Sequence, residues 1–198
     1  MDAMRILMDE HQSLAAIIHA IRHMIGEIGA GRLQPDHKLL EAMVHYLDAY
    51  PEKRHHPKED EFLFGPLRAR THEADAALDK LEAEHAQAEA RIAVLEAAVK
   101  GYAQNPANFE AFKTAFNDYA EFYRTHMMTE EREVLPLIRK HFRAEDWERA
   151  NAGFIADDPL SGTRASARAG EEDFAQLFSK LVAAAPAPIG LGAGPYKG

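Results

Sequence analysis

"HHPKEDEFLF", residues 55–64, and "HMMTEEREVLP", residues 126–136, carry the same device seventy-one positions apart. In each, a histidine is followed four residues later by a glutamate: His55 with Glu59, and His126 with Glu130. Large apolar side chains come directly after. Residues at i and i+4 share one helix face, ~6 Å apart along the axis. The pairs therefore sit where a buried face is about to continue, a costly place for an imidazole and a carboxylate unless something satisfies them.

Working outward, helix-period patterning dominates and no stretch alternates with period two for long enough to make a strand. The first predicted helix covers about 3–27 and stops at the Gly-rich "GEIGAGR". The second runs from about 36, with Asp36 as its N-cap, to about 70. Pro51 and Pro57 lie inside it and predict a kink or break. The third covers about 73–100 and ends at Gly101; the fourth starts at "NPANFE" and runs to about 141. "AEDWERANAGF" reads as a short fifth helix, with Trp147 packing it onto the bundle end. Short links between long helices predict an all-α, up-down-up-down four-helix bundle over residues 1–156. Residues 157–198 read as an Ala/Gly/Pro-rich extension with one amphipathic stretch, "EEDFAQLFSKLV", and a mobile end, "APAPIGLGAGPYKG".

The apolar stripes locate the polar exceptions. The first helix reads Leu7, His11, Leu14, Ile18; the third reads Leu78, Leu81, His85, Ala88, Ile92. The fourth reads Phe116, Tyr119, Tyr123, His126, Glu130, Val134, and the second, less regular, reads Leu47, Pro51, His55, Glu59, Phe62. Each helix thus places one histidine on its buried stripe, and two helices add a glutamate one turn later. The order repeats: "DEHQSL" around His11 is similar to "AEHAQA" around His85, so the chain reads as two helix hairpins, each offering His, His and Glu. Two equivalent half-sites facing one another are the expectation. A net stability of ~5–15 kcal/mol cannot absorb six unsatisfied buried groups at several kcal/mol each, and a shared metal centre is the simplest way to satisfy them. His56 and Asp60 form a competing i, i+4 pair, which leaves two registers open. Glu89 reads as a solvated flank residue or an extra carboxylate. Tyr46, Tyr50, Tyr119 and Tyr123 read as core aromatics.

Composition narrows the chemistry. The 198 residues contain no cysteine, which excludes thiolate ligands and disulfides, and eleven histidines, a high count. A net charge of −9 disfavours nucleic acid and anionic membranes as partners. No segment approaches the ~20 apolar residues of a membrane span, the N-terminus lacks a signal-peptide core, and a cytoplasmic location is expected. Nitrogen and oxygen donors suit iron, manganese, zinc or nickel.

On His11, "HHPKE" at 55–59, His85 and "HMMTE" at 126–130, the chain resembles the hemerythrin-like proteins of the HHE cation-binding domain group, over residues 3–142. The resemblance implies a non-haem di-iron centre inside the bundle. His11, His55, His85 and His126 would be terminal ligands, with Glu59 and Glu130 as carboxylate bridges beside an oxide or hydroxide; manganese or zinc are alternatives. Oxygen-carrying members have a further histidine one turn before that of the third helix, where this chain has Leu81, so the four-His, two-carboxylate branch is the nearer match. The implied function is binding or reaction with O2, NO or peroxide in sensing, stress response or iron handling. A metal-stabilised helical signalling module without redox chemistry is the alternative, and a di-metal oxidase or hydrolase ranks last for want of a substrate cleft or nucleophile.

Overall fold

A computed structural model describes residues 2–156 and 174–192. Helix α1 spans Ala3–Gly29 and is opened by Asp2, whose carboxylate accepts from the Arg5 backbone N–H at 2.9 Å. The turn after it passes through Gly31 at φ +70°, a conformation that glycine adopts without a steric cost. Helix α2 occupies residues 37–70 and is capped by Asp36, which accepts from Leu39 N–H at 3.0 Å. Helix α3 is Asp75–Gln104, α4 occupies residues 109–141, α5 is Ala144–Ala156 and α6 is Phe174–Ala184. The first four make the expected bundle. Helix α3 runs one turn beyond Gly101, because Tyr102 is buried there with its ring 5.6 Å from that of Phe112. Packing overrides the helix-ending tendency of the glycine.

Helices α2 and α4 are not uniform. Residues Asp48–His55, Asp60–Phe64 and Glu130–Val134 are wide π-type turns, closed by i→i−5 bonds from His56 to Pro51, Gly65 to Asp60 and Leu135 to Glu130. Each wide turn ends two residues before a proline, Pro57, Pro66 or Pro136, and the first also contains Pro51. A proline withholds the N–H that would tighten the helix and its ring pushes on the carbonyl one turn back. The chain relieves both by opening the turn, not by breaking the helix.

Two apolar clusters fill the bundle. One gathers Leu14–Ile25 of α1, Leu40–Tyr50 of α2, Ile92–Tyr102 of α3 and Phe112–Tyr123 of α4. The other gathers Ala3–Leu7, Leu63–Leu67, Leu78–Leu81 and Val134–Ile138, closed by Ala150 and Phe154 of α5. Trp147 packs edge-on to Phe142 beside this second cluster. Between the clusters each long helix crosses a polar layer at its stripe histidine.

Helix α6 packs on α1 and α2, with the Phe178 ring 6.1 Å from Tyr46. The reading of 185–198 as a mobile end is corrected for residues 185–192. They fold back so that Leu191 N–H donates to Ala183 and Gly192 N–H to Ala185, both at 2.9 Å. Residues 157–173 and 193–198, including the start of "EEDFAQLFSKLV", lie outside the described residues.

Candidate metal centre

All six stripe residues, His11, His55, Glu59, His85, His126 and Glu130, converge in the polar layer. His56 joins them. One group consists of His11, His55, Glu59 and Glu130; the other of His56, Glu59, His85 and His126. Within each group one nitrogen or oxygen per residue lies within 4.8 Å of the others. The two registers are thus not alternatives. His55 and His56, which an ideal helix would set ~100° apart, both enter the centre because the wide turn closes at His56. Asp60 goes elsewhere, to the back of His85. The half-sites are consequently unequal, against the expectation of equivalence: His56 has no counterpart, since Met127 follows His126.

Every imidazole is held from behind at Nδ1 by a carboxylate. Glu131 is 2.9 Å from His11, Glu10 is 2.6 Å from His55 and Asp60 is 2.9 Å from His85. Glu84 is 2.9 Å from His126, and Glu52 stands 3.1 Å from His56. With the proton on Nδ1, the Nε2 lone pairs of His11, His55, His85 and His126 point forward into the centre, while that of His56 meets the Tyr123 hydroxyl.

The two inner carboxylates span the halves. Glu59 turns Oε1 to His55, 3.2 Å from its Nε2, and Oε2 to His85 at 3.6 Å. Glu130 turns Oε2 to His11 at 3.1 Å and Oε1 to His126 at 3.3 Å. These approaches miss hydrogen-bond geometry. His11 Nε2, His55 Nε2 and all four oxygens of Glu59 and Glu130 are buried without a hydrogen-bond partner. His85 Nε2 and His126 Nε2 face one another at 3.2 Å. Buried orphaned polar atoms cost ~1–3 kcal/mol each. Acceptors aimed at a common point from four helices are what a cation requires, so the residues present fit a bound metal.

Titration behaviour follows the same need for positive charge. Burial works against a charged His11, yet Glu130, Glu131 and Glu59 carry its pKa well above the usual imidazole range. Burial likewise opposes charge on His126, but Glu130 and Glu84 raise it to about 10. Glu130 is held well below the ordinary carboxylate range by His126 and His11 despite its burial. His56 goes the other way, pushed well down by burial and by the imidazoles around it. Behind it, burial lifts Glu52 to about 7, partly offset by the Tyr119 hydroxyl, which donates to it at 3.4 Å. The Tyr123 hydroxyl is 2.9 Å from His56 Nε2, so two of the core aromatics also serve the centre.

Sequence reasoning did not assign roles to Glu10, Glu52, Glu84 and Glu131. Two of them had a readable signal: Glu10 and Glu84 each directly precede a stripe histidine in the repeated segments. Glu89 is exposed, as a flank residue. A separate surface group, His45, Asp48 and Glu96, also brings ligand atoms within 4.8 Å, but Asp48 already pairs with Lys53 and Glu96 with Lys100.

The family model of the hemerythrin HHE cation binding domain matches residues 2–138. No curated protein gives a significant match to the chain, and no solved structure does.

Proposed function

This chain belongs to the hemerythrin HHE cation-binding domain family, and on that footing we propose that its centre holds two iron ions and binds or reacts with a small molecule such as O2, NO or peroxide. The observation that carries the reading is the division of labour in Glu59 and Glu130. Each buried carboxylate presents one oxygen to each half-site, with no hydrogen bond to either. That is the arrangement of a bridge between two cations.

A bound iron pair would supply redox electrons and open coordination positions. The rest is the work of the chain. Three imidazoles serve one half and two the other, so the His11–His55 half has more room for an incoming ligand. The centre lies between two packed apolar clusters, which favours a small ligand over a bulky polar substrate. The Tyr123 hydroxyl lies in hydrogen-bond contact with His56 at the edge of the centre. The Glu52 carboxyl behind His56, with its pKa of about 7, can hold or give up a proton near neutrality. These features support sensing, stress response or iron handling by a cytoplasmic protein. No helix among the described residues is long and apolar enough to cross a membrane.

The test is anaerobic reconstitution with Fe(II), with iron counted per chain, followed by separate exposure to O2, NO and peroxide while absorption spectra are recorded. Two irons per chain and a ligand-dependent spectral change are expected. A reconstituted protein without iron, or an iron-loaded one whose spectrum ignores all three, overturns the reading.

A further inference from the structure

The repeat that relates the half-sites extends to the outer carboxylates. Glu10 precedes His11 and holds His55; Glu84 precedes His85 and holds His126. The symmetry fails one layer further out. Lys58, on α2, donates its ammonium to Glu10, and both side chains are almost completely buried. The Phe154 ring of α5 lies 5.1 Å from that ammonium and closes it off from solvent. The residue that overlays Lys58 in the repeat is Thr129. There the nearby cation is Lys80, which donates to Thr129 Oγ1 at 2.7 Å and stays 3.8 Å from Glu84. Its side chain is 45% exposed, so water and salt screen it.

We propose that Lys58 is a positioning residue that weakens cation binding at the His11–His55 half, so that the two halves fill in order, with the His56–His85–His126 half first. The inference rests on the two-cation reading above. A carboxylate behind a ligating histidine raises the donor strength of the ring and adds negative charge near the cation. Lys58 cancels that charge on Glu10, and the low local dielectric keeps the cancellation effective. On the other side Glu84 keeps its charge behind His126, and Asp60 adds its own behind His85. The His11–His55 half is left with Glu131 as its one uncompensated outer carboxylate, and that side chain is partly exposed. The result is one retained cation and one exchangeable cation, the latter in the half with fewer imidazoles.

Titration of the metal-free full-length protein with cobalt(II) under anaerobic conditions, followed by calorimetry and visible absorption, tests this. Two steps separated by at least about tenfold in affinity are expected from the size of outer-ligand effects. His85→Ala removes the tight step and His11→Ala the weak one. Lys58→Met tightens the weak step about tenfold or more, whereas Lys58→Arg keeps the gap and Lys80→Met leaves both steps unchanged. If Lys58→Met does not fold, Lys58→Gln retains a hydrogen bond to Glu10 without the charge and gives the same tightening. A wild-type protein that takes up no cobalt overturns the metal centre itself. Two equal steps in the wild type, or a gap that survives loss of the Lys58 charge, overturns the role given to Lys58 alone.

Discussion

Glu84 accepts from Nδ1 of His126 at 2.9 Å, and that bond decides which nitrogen of the ring faces the centre. Replacing Glu84 by Gln keeps an acceptor but removes the charge. Metal affinity is expected to fall about 10- to 100-fold, measured by competition with a chelator, while Glu89→Gln on the exposed flank of the same helix changes nothing. A second prediction concerns protons. The His126 pKa is raised to about 10, so without a cation this ring is protonated at neutral pH. A cation must displace that proton. Metal uptake at pH 7 is therefore expected to release protons, visible as a buffer-dependent calorimetric heat, and apparent affinity rises with pH up to about 10. The sign for the metal-free protein is opposite. A raised folded-state pKa contributes stability that is present below the ordinary imidazole pKa of ~6.5 and lost as pH climbs towards the folded value. Its melting temperature should fall between those limits, whereas the loaded protein should not follow it. The six inner residues were legible because stripe and repeat coincide on them. The carboxylates behind the rings were less so: Glu10 and Glu84 repeat beside their histidines and Asp60 stood out only as a rival partner for His56, while Glu52 and Glu131 sit beside the apolar stripe, where an acidic residue ordinarily means a solvated face.

At the scale of elements, the prolines do more than interrupt. They open three turns, and the first delivers two adjacent histidines to one centre. The sequence marks where a helical hydrogen bond is lost, but not whether the turn widens or breaks; that is settled by the flanking apolar anchors Tyr50 and Leu63, both fully buried. This is why His55 and His56 read as competing registers. Pro57→Ala restores a donor and is expected to narrow the turn. Far-UV circular dichroism should be unchanged or more helical, while one of the two metals binds at least about tenfold more weakly, an effect of the size seen when support around a ligand is lost. Unchanged affinity at both positions would remove the prolines from the account of the site. Helix α5 makes a separate demand. A Cβ at Gly153 would come within 2.6 Å of the Phe62 ring. Gly153→Ala should therefore destabilise the protein by about 1–3 kcal/mol, read as a lower denaturant midpoint. Phe62→Leu in the same background should recover part of the loss.

At the scale of the molecule, the polar layer divides what would otherwise be one continuous core. The bundle was readable because each long helix has a clear 3.6-residue stripe. The folding-back of residues 185–192 was not, because its hydrogen bonds run between backbone groups of residues 181–192, which no side-chain pattern encodes. Splitting a core with five imidazoles and seven carboxylates forgoes apolar contact in the middle of the bundle, so the layer must be held by something other than packing. Five carboxylates stand behind the rings and two lie between them, against one buried ammonium among the described residues, that of Lys58. Protonated imidazoles balance part of that charge in the metal-free protein, and cations balance it when bound. A ligand present at a hundred times its dissociation constant stabilises the folded state by about 2.7 kcal/mol, and each kcal/mol moves the melting temperature of a protein of this size by roughly 2–4 °C. Chelation is therefore expected to lower the melting temperature by about 5–11 °C. The loss should be local as well. Hydrogen exchange should accelerate in the helical turns that cross the layer, around residues 11, 55–59, 85 and 126–130, and much less around the Leu14–Ile25 stripe of the larger cluster. Uniform acceleration along all four helices would mean that the cations support the bundle as a whole, and that the two cores do not hold the layer open for them in advance.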